Sequence, residues 1–367
     1  MKVLVVAPSL RNTSPGSRFR VEQWMPFLER HGVAWEYCAF EDARLHNVIY
    51  TRGNYGRKTW HMLRALGRRV LDLRDLKRFD LVFLYEEAAR VGPAILERVV
   101  ARRGVPIVYD FCDPVYLPYR SPTNKYLSHL KFFRKTKAIC RLAQHVIVGN
   151  KLLAEWAAPH SRALSIVPIT IDTDTYRPRE HRRHASGEIP TIGWSGSHTT
   201  VPHLDRLREP LQKLARLRKF RLRVLGVPGY ELAGVDVEAR PWNAGTEVSE
   251  LQAIDIGIMP LPFDPWTERR SHLKVRQYMG LAIPAVASPV GVNAELLEDG
   301  HNGLLAASHA EWVEKLMRLV DDYELRRRLG EAGRRTIEQG YSTRVWAPRV
   351  LEILERAVES ASRSEGS

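Results

Sequence analysis

Little in this chain of 367 residues is suited to covalent or metal staples. Its three cysteines, Cys38, Cys112 and Cys140, are an odd number without CxxC spacing. That excludes a disulfide framework, and reduced thiols in a cytosolic protein are the expected state. The thirteen histidines include no HxxxH or HExxH pair, which removes the helical zinc site. No apolar run approaches the length of a membrane span. The opening MKVLVVAP is too short a run for a signal peptide, is broken by Pro8, and reads as a first buried strand. A GxGxxG dinucleotide loop is missing. GWSGS, around Ser195, fails the GxSxG pattern of a nucleophile elbow because Ser197 stands where glycine is required. Acidic residues are the scarcer sign: 42 Asp and Glu against 56 Lys and Arg leave a formal net charge of +14. An anionic partner is expected, either a nucleotide-linked substrate, a nucleic acid or an acidic membrane surface.

What is present is an alternation of short apolar strands with helical patterns, the mark of a parallel α/β sheet. KVLVVAP, AWEYCAF, DLVFLYE, PIVYDF and HVIVGN are strands rich in Val, Ile and aromatics, with TWHMLRALGRRVLDL, PAILERVVARRG and KLLAEWAAPH as helices between them. The polar stretch IDTDTYRPREHRRHASGEIP, 171–190, reads as an interdomain linker. The alternation then restarts with TIGWSGS, RLRVLGV, VDVEARPW and IGIMPLP. Two Rossmann-like halves facing a cleft are expected: residues 1–175, residues 176–342, and a C-terminal helix, 343–367, returning to the first half. The spelled DxD at Asp172 and Asp174 falls in the linker and is read as a turn.

Candidate chemistry lies at carboxyl ends of strands, the edge where α/β sheets bind ligands. In ERRSHLKVRQYMGLAIPAVASPVGVNAELLEDGHNG, 268–303, two helix starts flank one strand. Free backbone N–H groups there favour an anion. Arg269, Arg270 and Lys274 add mobile positive charge, and Gly291, Val292 and Asn293 open the second helix. The segment is read as a diphosphate site. In the first half, SPGSRFR sets Gly16, Ser17 and Arg18 beside a helix start. Glu86 and Glu87 follow one strand and Asp110 and Asp113 another, placed to orient an acceptor hydroxyl, to accept its proton, or to cap a helix. Asp113-Pro114 has the form of a cap with proline at the first helical position. The segment 119–142 carries seven Lys and Arg, among them Arg120, Lys125, Lys131 and Lys135, without an acidic residue. It reads as a basic amphipathic helix for an anionic membrane or as a solvated face, and a second basic cluster lies between Arg57 and Arg78.

The phrases IGWSGSHTT, DIGIMPLPFDPW, LKVRQYMGLAIPAVASPVGVNAEL and GYSTRVWAPRVLEIL, with VIVGNKLLAEWA and VPITIDTDTYRP at the join, resemble the GT-B glycosyltransferases, and among them the retaining family 4. The resemblance covers nearly the whole length. It implies a nucleotide-sugar donor on the second half and an acceptor on the first, a glycan, a lipid-linked molecule or a small molecule. It places the Gly196–Ser197 loop under the donor phosphates, Trp242 beside the base, and Arg270 and Lys274 on the leaving diphosphate. Two glutamates common in the family are replaced here by Arg269 and Gln277. His198 and Thr199 stand where an Arg-Lys pair is frequent, and the first half offers no counterpart of a catalytic histidine seen in relatives. The implied activity is retaining hexosyl transfer from a UDP- or GDP-sugar in cell-surface glycan or glycolipid synthesis. No tightly bound metal, cofactor or nucleic acid is expected. The location implied is cytoplasmic, at most peripheral to the membrane. The rival readings are a nucleotide-sugar 2-epimerase, a basic nucleic-acid-binding protein and a degenerate transferase subunit.

Overall fold

The computed structural model describes residues 1–51, 53–118, 131–179 and 189–365. It divides into two units, residues 1–169 with the chain from Trp346 onward, and Thr170–Val345. Each is built on one six-stranded sheet whose neighbouring strands all pair in parallel.

The first sheet holds β1 (Lys2–Ala7), β2 (Ala34–Ala39), β3 (Leu81–Tyr85), β4 (Ile107–Phe111), β5 (His145–Val148) and β6 (Leu164–Ile166), in the order β2-β1-β3-β4-β5-β6. Successive residues of a strand point to opposite faces. In β1, Leu4 and Val6 therefore join the core that contains Val82, Tyr109 and Val146, while Val3, Val5 and Ala7 join the opposite core. Both faces are covered, and this is why the strands read as unbroken apolar runs. The C-terminal helix, Thr343–Glu365, supplies Ala347, Val350, Ile353, Leu354 and Ala357 to that opposite core. The longest helix between strands of this unit is α1 (Tyr55–Asp72).

The second sheet holds β7 (Thr191–Ser195), β8 (Arg221–Leu225), β9 (Asp236–Arg240), β10 (Ile256–Met259), β11 (Ala285–Ala287) and β12 (Leu304–Leu305), in the order β12-β11-β10-β7-β8-β9. After β10 come α2 (Pro265–Arg269) and α3 (Leu273–Gly280), and after β11 the one-turn α4 (Val292–Leu296). Asp264 caps α2 by accepting from the backbone N–H of Trp266 and of Thr267, both at 2.9 Å, with Pro265 at the first helical position.

Three local expectations need correction. The stretch read as a linker does not begin at Ile171: Thr170, Ile171 and Tyr176 are buried in the second unit, and Ile171 exchanges backbone hydrogen bonds with Tyr341 and Thr343. Residues 180–188 lie outside the described residues. No helix starts at Asp113-Pro114, because the Asp113 carbonyl accepts from Val115 N–H at 2.7 Å and the chain turns. Of the basic segment, 119–130 lies outside the described residues. The remainder forms a helix, Lys135–Leu142, with Ile139 inside the core and the Lys135 ammonium 2.6 Å from Glu87. That portion offers no amphipathic face with Ile139 outward. No helix among the described residues is long and apolar enough to cross a membrane.

Candidate active site

Strand order fixes where ligands can gather. In each sheet the connections run one way and then the other, and the carboxyl ends of the two strands at that reversal open a crevice. In the second sheet the reversal separates β7 from β10. The loop after β7 there faces the segment from α2 to α3.

Trp194, on β7, joins the two sides. Its buried indole lies under the Lys274 ammonium, 5.7 Å from the ring centroid. A Cβ on Gly196 would sit 2.1 Å from the same ring, so only glycine lets the backbone pass here. The next residues close on themselves: Ser197 N–H donates to the Thr200 hydroxyl at 2.9 Å.

Arg270 and Lys274 flank the start of α3. Burial and then the neighbouring Arg270 guanidinium lower the Lys274 ammonium from 10.5 to about 8. No carboxylate pairs with Lys274 among the described residues. Burial, with Lys274 and Arg270 next in weight, also lowers His203. Between the two cations, His272 adopts a left-handed backbone with φ 32°, and burial followed by Arg270 lowers its imidazole to about 3. The neutral ring donates from Nε2 to the Thr267 carbonyl at 2.8 Å. Arg276, buried on α3, donates to the Ser271 and His272 carbonyls. The arrangement brings two positive side chains to a helix start, a chemistry suited to a multiply charged anion.

The other donor-side candidates divide. Trp242 lies beyond β9, half-buried, its indole N–H donating to Glu247 at 2.9 Å. Its Cβ is 3.5 Å from where a side chain on Gly226 would begin, and the same position would meet the Gly196 carbonyl, so the loops after β7, β8 and β9 converge. Glu247 also accepts from Tyr176 at 2.8 Å, and Tyr176 in turn accepts from the Gln277 amide at 3.1 Å. Gln277 is 3% exposed. This corrects its expected place on a ribose, because the amide nitrogen is spent inside the unit. Arg269 turns back onto its own helix, donating to the Pro265 carbonyl at 3.0 Å. Gly291 has φ 53°, and a Cβ there would lie 2.2 Å from the Glu268 carbonyl oxygen, which ties α4 to α2. Val292 and Asn293 are buried, so their side chains pack rather than present a ligand surface.

In the first sheet the reversal separates β1 from β3. Gly16 meets the Tyr85 hydroxyl, which brings the loop after β1 to the end of β3. Ser17 is buried and donates to the Ser14 carbonyl at 3.2 Å, so it closes its own turn, while Arg18 is half-buried. Glu86 takes a left-handed backbone with φ 56°, a strained choice for a non-glycine residue. Burial, then Asp113 and Glu87, raise its carboxyl to about 7. Glu87 pairs with Lys135. Asp110 is corrected outright as an acceptor ligand: it is fully buried, and both oxygens are taken by Arg20, which also donates to the Val167 carbonyl. Asp172 accepts from its own turn, from Asp174 N–H and the Thr175 hydroxyl, and Asp174 pairs with Arg344 at 2.6 Å. Sequence reasoning missed Trp194, His203, His272 and the Tyr176–Glu247 pair. The strand pattern of TIGWSGS alone could have pointed to Trp194.

Residues 189–322 match the family described as Glycosyl transferases group 1. No match was found among curated proteins. Among solved structures, the chain is similar to sucrose-phosphate synthase (tll1590) from Thermosynechococcus elongatus, with TM-score 0.69 and 12% identity over 98% of this chain and 99% of that one. A glycosyltransferase from Rickettsia africae ESF-5 gives 0.66 and 13% over 97% and 98%. Anabaena Alr3699/HepE in complex with UDP-glucose gives 0.60 and 14% over 97% and 100%. These likenesses span the full chain and fix the two-domain fold. The second unit thus carries the match to the group 1 glycosyl transferases, and the chain as a whole has the two-domain GT-B fold.

Proposed function

We propose that the protein moves a hexose from a UDP- or GDP-sugar to a hydroxyl acceptor with retention at the anomeric carbon, in the manner of family 4. The second unit takes the donor and the first unit the acceptor. The acceptor is a glycan or lipid-linked molecule of a cell-surface pathway, and the place of action is cytoplasmic, at an anionic membrane face. The observation that carries the reading is the pair Arg270 and Lys274. The Lys274 ammonium, lowered by burial and then by the Arg270 guanidinium and without a carboxylate partner among the described residues, is stabilised by a diphosphate. The complexes of HepE with UDP and with UDP-glucose support a uridine donor.

In the reaction, the bond from the anomeric carbon to the diphosphate breaks while an acceptor oxygen bonds to that carbon on the same face. The acceptor proton passes to a departing phosphate oxygen, so no strong protein base is needed. Arg270, Lys274 and the α3 N–H groups meet the charge that grows on the leaving group, the kind of contribution worth several kcal/mol in such sites. Glu86, with a carboxyl near neutrality, is placed to hydrogen-bond the acceptor hydroxyl. With Asp172 and Asp174 engaged in their turn, we assign no metal to them.

A thermal-shift screen against UDP, GDP and their sugar conjugates, with and without Mg²⁺, tests the donor assignment. Ligand at about one hundred times its Kd stabilises by about 2.7 kcal/mol. Stabilisation by one nucleotide, lost in Lys274→Ala, is expected. Indifference to every nucleotide refutes the assignment.

A further inference from the structure

Exposed apolar side chains are not scattered over this molecule. Of the eleven large ones among the described residues, six belong to α1 or the turn before it: Tyr50, Tyr55, Trp60, Leu63, Val70 and Leu71. Concentration on one element marks an interaction surface, where single exposures would need no explanation.

The other side of α1 is fastened firmly. Met62, Ala65 and Leu66 pack with Phe40, Leu45 and Ile49. Buried Arg69 donates to the Ala7 and Cys38 carbonyls, both at 2.9 Å, and buried Lys58 donates to the Thr51 carbonyl. Residues three or four apart share a helix face. The outward face therefore runs Arg57, Trp60, Leu63, Arg64, Gly67 and Leu71, with Trp60 67% exposed, Leu63 59% and Leu71 55%. Neither Arg57 nor Arg64 forms an ion pair among the described residues. The single acidic residue of the helix, Asp72, is turned to Cys38 at 3.1 Å. Beyond the helix end, Asp75 lies 3.8 Å from Arg78.

We propose that this face of α1 docks the protein on an anionic phospholipid surface, with Trp60, Leu63 and Leu71 entering the headgroup layer and Arg57 and Arg64 against the phosphates. A helix of 18 residues is about 27 Å long, and an apolar stripe with flanking arginines is the composition that lies in a membrane interface. A second copy of the chain is the poorer occupant. Symmetric pairing of the same face would bring Arg57 and Arg64 against their own like charges without a carboxylate to answer them. The inference gives a specific surface to the membrane-side acceptor reading above and rests on it.

The test is sedimentation of the full chain with phosphatidylcholine vesicles, with and without phosphatidylglycerol. Binding to the anionic vesicles, at least about tenfold weaker on phosphatidylcholine alone, is expected. Trp60→Ser with Leu63→Ser, and separately Arg57→Ser with Arg64→Ser, should each weaken it by about tenfold or more with circular dichroism unchanged. A wild type that stays in solution, or both double variants binding like it, overturns the proposal. So does a wild-type dimer that Trp60→Ser separates, since the face then belongs to a second copy. Nucleotide stabilisation measured on the same preparations keeps the two readings apart: vesicle binding lost with nucleotide response intact sinks only the docking face, and the reverse sinks only the donor site.

Discussion

If Lys274 meets the donor diphosphate, affinity for a nucleoside diphosphate must fall between about pH 7 and pH 9 in a way set by that one side chain. In the free protein its ammonium titrates at about 8 instead of 10.5, because burial and Arg270 oppose the charge. A bound diphosphate reverses both causes and restores full protonation. About nine in ten free molecules carry the charge at about pH 7 and about one in eleven at about pH 9, so affinity drops roughly tenfold, or about 1.4 kcal/mol. The terminal phosphate of the ligand titrates near about 6, below this window. His203 and His272, both lowered by burial and by Arg270, stay neutral through it.

The sign for stability is opposite to that for binding. A lysine whose folded value is depressed leaves the folded protein with fewer protons than the unfolded chain between about 8 and 10.5, so this group makes the unliganded protein more stable as pH rises there. Calorimetry with UDP in buffers of different ionisation enthalpy should show uptake of about half a proton at about pH 8. Lys274→Arg keeps its charge throughout and should bind with a flat profile. A flat wild-type profile, or the wild-type slope persisting in Lys274→Arg, refutes the assignment of Lys274 to the phosphates.

Other expectations follow from single contacts. Asp110→Asn strands the buried Arg20 guanidinium and should cost about 3–5 kcal/mol in urea unfolding; an unchanged midpoint would show the pair to be dispensable. Trp242→Ala should weaken nucleotide binding about tenfold if the indole stacks on the base, and Trp242→Phe should recover most of it, as read by calorimetry. Gly291→Ala places a Cβ against the Glu268 carbonyl at a positive φ and should lower stability by about 2 kcal/mol or more, visible as a drop in Tm.

What could be read from sequence was what neighbours in sequence determine. The strands announced themselves because both faces of each sheet are covered, and the cations at 270 and 274 did so because a helix start is a local event. Asp110 was misread for the complementary reason. A carboxylate at a strand end looks the same whether it faces solvent or an arginine 90 residues away, and Arg20 is that arginine. Gln277 follows Lys274 by three positions, close enough on a helix to share its surface. Its direction was decided by Tyr176, 101 residues distant, which takes the amide inward. At Asp113-Pro114 a correct local signal for a helix start lost to a turn closed by Val115. Gln277 is thus part of a buried chain, Gln277–Tyr176–Glu247–Trp242.

Two strained residues lie at these sheet edges. Glu86 and His272 are not glycine, yet each holds a positive φ, at a cost of order 1–3 kcal/mol. Each also stands at the reversal point of its own sheet, where a ligand crevice opens. For His272 the means of holding the strain are visible. Its ring is tied to the Thr267 carbonyl, and Arg276 grips the two carbonyls of the bend from inside α3. The bend lies between Arg270 and Lys274 in sequence, so fixing it fixes the backbone from which the two cations extend. A pair of flexible cations would spread apart in the free protein and lose entropy on binding. A pair mounted on a strained, clamped bend has its backbone set in advance, and an anion bound there would relieve the repulsion between the two charges.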